Sequence, residues 1–326
     1  MKDPFGRTVE YLRISVTDRC NLRCVYCMPR KGLPWLPREG LLTYEEIREI
    51  VGVMAGLGLK RIRLTGGEPL VRKDLPQLVE LLSTVSGMDD VGLSTNGVLL
   101  GEMAAPLREA GLDRVNVSLD SLKRERVEEL TRRPGTLERI MEGLEAAEDS
   151  GLRPIKVNVV LIRGTNDDEI EDFARLTLRR PWHVRFIELM PTASNLKLSA
   201  GSFFSCQETL ERLRALGELE SVPGPRGNGP ARYFRFPGAR GTVGVISPMS
   251  HAFCRECNRM RLTADGQLRP CLFGSLQTNL RDALRKGEDL VPLVRETLRN
   301  KPESHELVRG SCRGSGGLIA LSQTGG

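Results

Sequence analysis

Short apolar runs recur through the first two thirds of the chain: 11–16 (YLRISV), 61–65 (RIRLT), 91–95 (VGLST), 114–119 (RVNVSL), 156–162 (KVNVVLI) and 184–189 (VRFIEL). Their length and β-branched content predict strands. Segments with helical character lie between them. One opens at Thr43, where Thr43-Tyr44-Glu45-Glu46 has the form of a capping box, and others cover about 74–85, 101–110, 123–132, 136–150, 167–179 and 206–217. Strands alternating with helices predict βαβ units and a parallel sheet, and six such strands can curl into a closed or partly closed barrel. Polar and glycine residues follow several strands directly: Thr65-Gly66-Gly67-Glu68-Pro69, Ser94-Thr95-Asn96-Gly97, Ser118-Leu119-Asp120-Ser121 and Glu188-Leu189-Met190-Pro191. These fall where parallel α/β folds build their sites, at the carboxyl ends of the strands.

The pattern changes near residue 221. A turn-rich stretch, SVPGPRGNGP, is followed by strand-like pieces at 233–236 and 242–246. A hairpin over 259–271 is expected to turn at Asp265-Gly266, a favoured two-residue turn. Residues 310–326 are rich in glycine. The division expected is a core over 1–222 and an extension over 223–326.

Length and charge then narrow the class. The 326 residues suffice for one large α/β domain with a sizeable extension. No run of 18 apolar residues suggests a membrane span, and the first residues, MKDPFGR, lack the apolar core of a signal peptide. The expectation is a cytoplasmic protein with reduced thiols and no membrane partner. The formal net charge of +6 and the aromatic content of 5% suit an anionic small molecule better than a nucleic-acid partner, which would call for dense basic tracts or stacking platforms.

Chemistry enters with the cysteines. Cys20, Cys24 and Cys27 form C-x3-C-x2-C directly after the first strand. Three thiolates so spaced can hold three irons of a cubane cluster and leave the fourth open to bind and reduce something. Cys254, Cys257 and Cys271 form C-x2-C-x13-C, the last returned by the hairpin. A metal is expected here too. His251, three residues ahead, keeps a Cys3His zinc site open beside an iron–sulfur cluster, and Cys206 and Cys312 are further candidate ligands. Arg259 and Arg261, two apart on a strand, project from one face and suit phosphate oxygens.

Taken together, these residues resemble the radical S-adenosylmethionine (SAM) enzymes and, within them, the GTP 3′,8-cyclase family of molybdenum-cofactor biosynthesis. The runs that carry the resemblance are DRCNLRCVYCMP, RLTGGEPLVR, STNG, VNVSLDSL, KVNVVLIRGTNDDEI, RFIELMP, FCRECNRMRLTADGQLRPCLF and the terminal Gly325-Gly326. The two cysteine triads, in this order and spacing, are its specific part. The resemblance implies a partial (β/α)6 TIM-like barrel with a C-terminal extension covering its open side. It implies two [4Fe–4S] clusters, one on Cys20, Cys24 and Cys27 that binds SAM and one on Cys254, Cys257 and Cys271 that faces guanine, with His251 a neighbour and not a ligand.

The same resemblance assigns residues. Tyr26, Gly67, Ser118 and Met190 match SAM contacts. Arg13, Arg63, Ser94, Lys156, Arg259, Met260 (through its backbone) and Arg261 match GTP contacts. Gly325-Gly326 match a catalytic tail that reaches into the barrel, although Leu321 and Thr324 stand where Met and Ile are expected. The implied reaction is a lyase reaction in which a deoxyadenosyl radical takes hydrogen from C3′ of GTP and C3′ closes onto C8. The implied partners are GTP, a one-electron donor and the next enzyme of the pathway, with homodimerisation left open. Two rival readings remain: a radical SAM peptide-modifying enzyme or maturase, and a zinc-stabilised nucleic-acid module.

Overall fold

Alternation along the first strand sets the plan of the molecule. The computed structural model describes residues 1–191, 201–227 and 229–305. In β1 (Tyr11–Ser15), Leu12 and Ile14 are fully buried in the main core, whereas Tyr11 and Arg13 line a cavity on the other face. The pattern repeats in β2 (Arg61–Thr65), β3 (Asp90–Thr95), β4 (Arg114–Ser118), β5 (Ile155–Leu161) and β6 (His183–Glu188), which pair in parallel in that order. The six strands are those expected from the sequence, with ends shifted by a residue at most.

The connecting helices are α1 (Tyr44–Gly56), α2 (Leu75–Ser83), α3 (Leu100–Glu109), α4 (Arg124–Thr131), α5 (Thr136–Asp149) and α6 (Ile170–Arg179). Each buries an apolar stripe; in α1 it is Ile47, Ile50, Val51 and Met54. The capping box at Thr43 forms in both directions, with Thr43 Oγ1 accepting from Glu46 N (3.2 Å) and Glu46 Oε2 accepting from Thr43 N (2.8 Å). After the undescribed residues 192–200, α7 (Cys206–Ala215) starts from a second capping box, Ser205 with Glu208.

The remainder of the chain joins the same sheet. β7 (Glu220–Val222), β8 (Arg232–Arg235) and β9 (Thr242–Ile246) add to one side, with β9 parallel to β6. β10 (Arg259–Leu262), β11 (Gln267–Arg269) and β12 (Thr278–Asn279) add to the other, with β10 parallel to β1. The order is β12-β11-β10-β1-β2-β3-β4-β5-β6-β9-β8-β7. Both open edges of the six-stranded core are therefore covered by strands from the later part of the chain. Residues of β1 to β6, β9 and β10 line one cavity, so the sheet curls around it.

Two expectations change. The hairpin does not turn through a two-residue loop: Thr263 N donates to Gln267 O (3.0 Å), which leaves three residues in the turn, with Gly266 at φ +83°. A Gly in the left-handed region closing a three-residue loop is the next most common hairpin form. Two helices also went unread, α8 (Leu280–Arg285), capped by Asn279, and α9 (Leu290–Arg299), capped by Asp289. Among the described residues no helix is long and apolar enough to cross a membrane. Gly325-Gly326, Leu321, Thr324 and Cys312 lie outside the described residues.

Candidate active site

The inward faces of the strands carry polar side chains where a packed barrel would carry aliphatic ones. Arg259 and Arg261 on β10, Tyr11 and Arg13 on β1, Arg63 on β2, Ser94 on β3, Arg114, Asn116 and Ser118 on β4, Lys156 and Asn158 on β5 and Arg185 on β6 all line a cavity of about 350 Å³. The register sets them side by side: Arg13 pairs with both Arg261 and Arg63, Asn116 with both Ser94 and Lys156, and Asn158 with both Ser118 and Arg185. All six cysteines of the two triads line the same cavity.

Among the described residues, seven Arg and Lys side chains face this cavity, against the carboxylates of Glu68 and Asp120. Arg114 is paired with Asp90, its Nε donating to Oδ1 at 2.6 Å. The partners recorded for several others are neutral. Arg63 donates to Tyr11 Oη and to the Leu93 carbonyl (both 2.9 Å), Lys156 to the Arg226 carbonyl (2.7 Å) and Arg185 to Asn158 Oδ1 (2.8 Å). Lys156 is 2% exposed. Burial, then Arg185 and Arg63, push its ammonium down to about 6. Burial also lowers Arg13, to about 10, with Arg63, Arg259 and Arg185 adding to it. Several basic side chains gathered on one buried wall suit an anionic ligand. The Asn116 amide oxygen is buried without a hydrogen-bond partner, a second group in the wall set for a ligand.

The first triad lies on the carboxyl rim. Its loop crosses the Gly66-Gly67 turn so closely that a Cβ on Gly67 would meet Arg19 O at 2.3 Å, and one on Gly66 would meet Thr17 O at 2.5 Å. Gly67 N donates to Thr17 O (2.7 Å) and Glu68 N to Arg19 O (2.8 Å). The glycine pair is thus demanded by the approach of the cysteine loop. Glu68, held protonated up to about 7 by burial, ties this turn to the next by accepting from Thr95 Oγ1 (2.7 Å) and Asn96 N (2.6 Å). Tyr26 donates to Asp120 Oδ2 at 2.6 Å, and burial raises Asp120 to about 6. Leu22 N points at Cys20 Sγ (3.4 Å). Burial drives Cys20 up to about 11, and Cys24 well above its ordinary value with Cys27 and Asp120 adding to it.

The second triad has different neighbours. Burial pushes the Cys257 thiol up, but Arg259 and then Lys301 outweigh it and bring it down to about 7. Lys301 Nζ lies 3.6 Å from Cys257 Sγ. None of the six thiols is in a disulfide. Thiols on short loops, facing a shared cavity and approached by N–H donors, fit cluster ligation. His251 is exposed, 3.3 Å from Ser250 Oγ, and does not line the cavity. A different histidine, His305, does, with its ring 5.0 Å from that of Phe273.

Comparison with known proteins agrees with this architecture. The model of the Radical SAM superfamily matches residues 14–177, and that of Molybdenum Cofactor Synthesis C matches residues 182–307. A GTP 3′,8-cyclase of Pelotomaculum thermopropionicum is 49% identical over 95% of this chain and 96% of its own. One of Moorella thermoacetica is 47% identical over the full length of both. The chain belongs to the GTP 3′,8-cyclase family of radical SAM proteins. In fold it is similar to SuiB of Streptococcus suis, solved with S-adenosylmethionine, at a TM-score of 0.63 and 13% identity, covering 96% of this chain and 76% of that one.

For a member of this family, most residues singled out from sequence come together. Tyr26, Gly67, Ser118 and Met190 line the rim half of the cavity; Arg13, Arg63, Ser94, Lys156, Arg259 and Arg261 line the same cavity. Met260 does not: its side chain is 1% exposed, in the core on the opposite face of β10 from its arginine neighbours, and its main chain pairs in register with Leu12. Cys206 is likewise a core residue, at the first turn of α7. Sequence reading missed Arg185, Asn116, Asn158, Asp120 and His305. For all but the last the signal was present, since they alternate with apolar residues in or just after strands already identified.

Proposed function

We propose that this protein is a GTP 3′,8-cyclase. It converts GTP to (8S)-3′,8-cyclo-7,8-dihydroguanosine 5′-triphosphate, the first step of molybdenum-cofactor biosynthesis, using SAM and two [4Fe–4S] clusters. The observation that carries the reading is the cationic wall between two cysteine triads that face one cavity.

When bound, the first cluster with SAM supplies a 5′-deoxyadenosyl radical. The chain's own part is ligation, orientation and exclusion of water. Cys20, Cys24 and Cys27 hold the SAM-binding cluster, and Cys254, Cys257 and Cys271 the other. Gly67, Ser118, Met190 and Tyr26 flank SAM, with Asp120 fixing the Tyr26 hydroxyl. Arg13, Arg63, Lys156, Arg259 and Arg261 bind the anionic nucleotide, joined by Arg185, while Ser94 and Asn116 offer hydrogen bonds from the middle of the wall. Holding GTP at both ends leaves its ribose facing the SAM half. In this reading Gly325-Gly326 form a catalytic tail and Met260 contributes main chain only. The division remains 1–222 for the barrel core and 223–326 for the extension, although the sheet runs across it.

A one-electron donor, transfer of product to the next pathway enzyme and a cytoplasmic setting belong to the same reading. Anaerobic incubation with SAM, reductant and GTP should give deoxyadenosine together with a cyclised guanosine triphosphate. Deoxyadenosine without a cyclised nucleotide would return the protein to the radical SAM enzymes of other substrates.

A further inference from the structure

Lys301, in the segment after α9, is a lysine that nothing in the reaction calls for. It is 3% exposed, and lysines are rarely buried unless their protons are all placed. Its Nζ has three acceptors: the Arg259 carbonyl at 2.7 Å, the Pro270 carbonyl at 2.7 Å and Cys257 Sγ at 3.6 Å. An ammonium has three protons to give. The two carbonyls belong to the backbone two residues past Cys257 and one residue before Cys271, so one side chain joins the two arms of the hairpin that bear these thiols. The third thiol is tied to the same segment through Arg7, whose Nη1 donates to Cys254 O (2.7 Å) and Glu303 O (2.9 Å) and whose Nη2 donates to Pro302 O (2.7 Å). Arg7 is itself paired with Asp3.

We infer that Lys301 is a positioning residue for the second cysteine triad. It locks the segments carrying Cys257 and Cys271 together and, by placing a positive N–H donor on the Cys257 sulfur, holds the potential of the second cluster up. This rests on the two-cluster reading above. Hydrogen bonds to ligand sulfurs and nearby positive charge both favour the reduced, more negative form of a cluster.

The test compares Lys301→Met, Lys301→Gln and Lys301→Arg in the anaerobically purified two-cluster protein. Its readouts are iron content and an EPR-monitored redox titration. In the Met and Gln variants the second cluster should show a reduced-to-oxidised ratio about tenfold lower at fixed potential, a fall of about 59 mV for a one-electron couple. The first cluster should not move, and Arg should restore the midpoint. Loss of the second cluster's iron in Met and Gln, with retention in Arg, supports the anchoring. A midpoint equal to wild type in both neutral variants overturns the inference, as does loss of that cluster in all three variants with the fold intact. Wild-type protein holding only about four irons would sink the two-cluster reading and this inference with it. About eight irons with an unmoved midpoint would sink this inference alone.

Discussion

Cys24, in the loop after β1, and Cys257, just ahead of β10, are pushed in opposite directions by their neighbours. Burial, the other thiols and Asp120 drive Cys24 up, whereas Arg259 and Lys301 bring Cys257 down to about 7. Among the described residues, Glu68 and Asp120 are the carboxylates of the cavity wall, and both stand beside the first triad. Cationic groups stand beside the second. An apolar and acidic setting disfavours added negative charge and makes a bound cluster a stronger reductant. A cationic setting raises the potential and attracts anions. One end of the cavity is therefore suited to reducing a sulfonium, which carries positive charge, and the other to receiving a nucleotide that carries several negative ones.

The largest effect should come from removing either triad. Cys24→Ala should lower iron from about eight to about four per chain and abolish deoxyadenosine formation, while Cys257→Ala should lose about as much iron and leave SAM cleavage measurable. Iron analysis and anaerobic chromatography check both. If Cys24→Ala still released deoxyadenosine, or if both variants lost it equally, the division of labour would be broken.

A smaller effect is expected at the arginines. Replacing both Arg259 and Arg261 by Ala should weaken GTP binding by about 3 kcal/mol, on the order of a hundredfold, because truncating a buried charged partner costs about 2–5 kcal/mol. SAM cleavage without GTP should be unchanged. Anaerobic calorimetry reads the affinity, and an unchanged value removes the pair from the nucleotide site.

The two ends differ in how far they were legible. The rim half could be read because its residues follow strands directly and its Cys and Gly positions are close in sequence. In the cationic half, Arg13 and Lys156 stand out because a charge interrupts an apolar run, and Arg259 and Arg261 because their two-residue spacing puts them on one strand face. The register that gathers them was not legible: Arg259 reaches β1 because β10 pairs parallel to it, a contact between residues about 250 positions apart that no local pattern encodes. α9 was missed although Asp289 caps it and Leu290, Val294, Thr297 and Leu298 keep helical spacing. Lys301, just past its end, went with it. The Asp265-Gly266 turn signal was right in place and wrong in loop length, because a left-handed Gly closes two hairpin forms alike.

The smallest expected effect sharpens the comparison through stability. Lys156, held down to about 6 mainly by burial, is largely neutral at pH 7 in the ligand-free fold and charged in the unfolded chain. Its folded value lies below its unfolded one, so the stability it permits is full above about pH 10.5 and declines as pH falls toward 6. Lys156→Met removes that penalty and loses one hydrogen bond to the Arg226 carbonyl. The ligand-free variant should be more stable than wild type at pH 7 by on the order of 3 kcal/mol, with the gap widening from pH 10 to pH 6, while GTP affinity falls. In wild type, an incoming triphosphate restores the ammonium, so binding at pH 8 should take up a proton. The measured enthalpy should then differ between buffers of unlike ionisation heat, and the variant should lose that difference. A variant no more stable than wild type, or wild-type enthalpies independent of buffer, would mean that Lys156 meets its counter-charge before the nucleotide arrives, and that the two ends of the cavity are less unlike than their cysteines suggest.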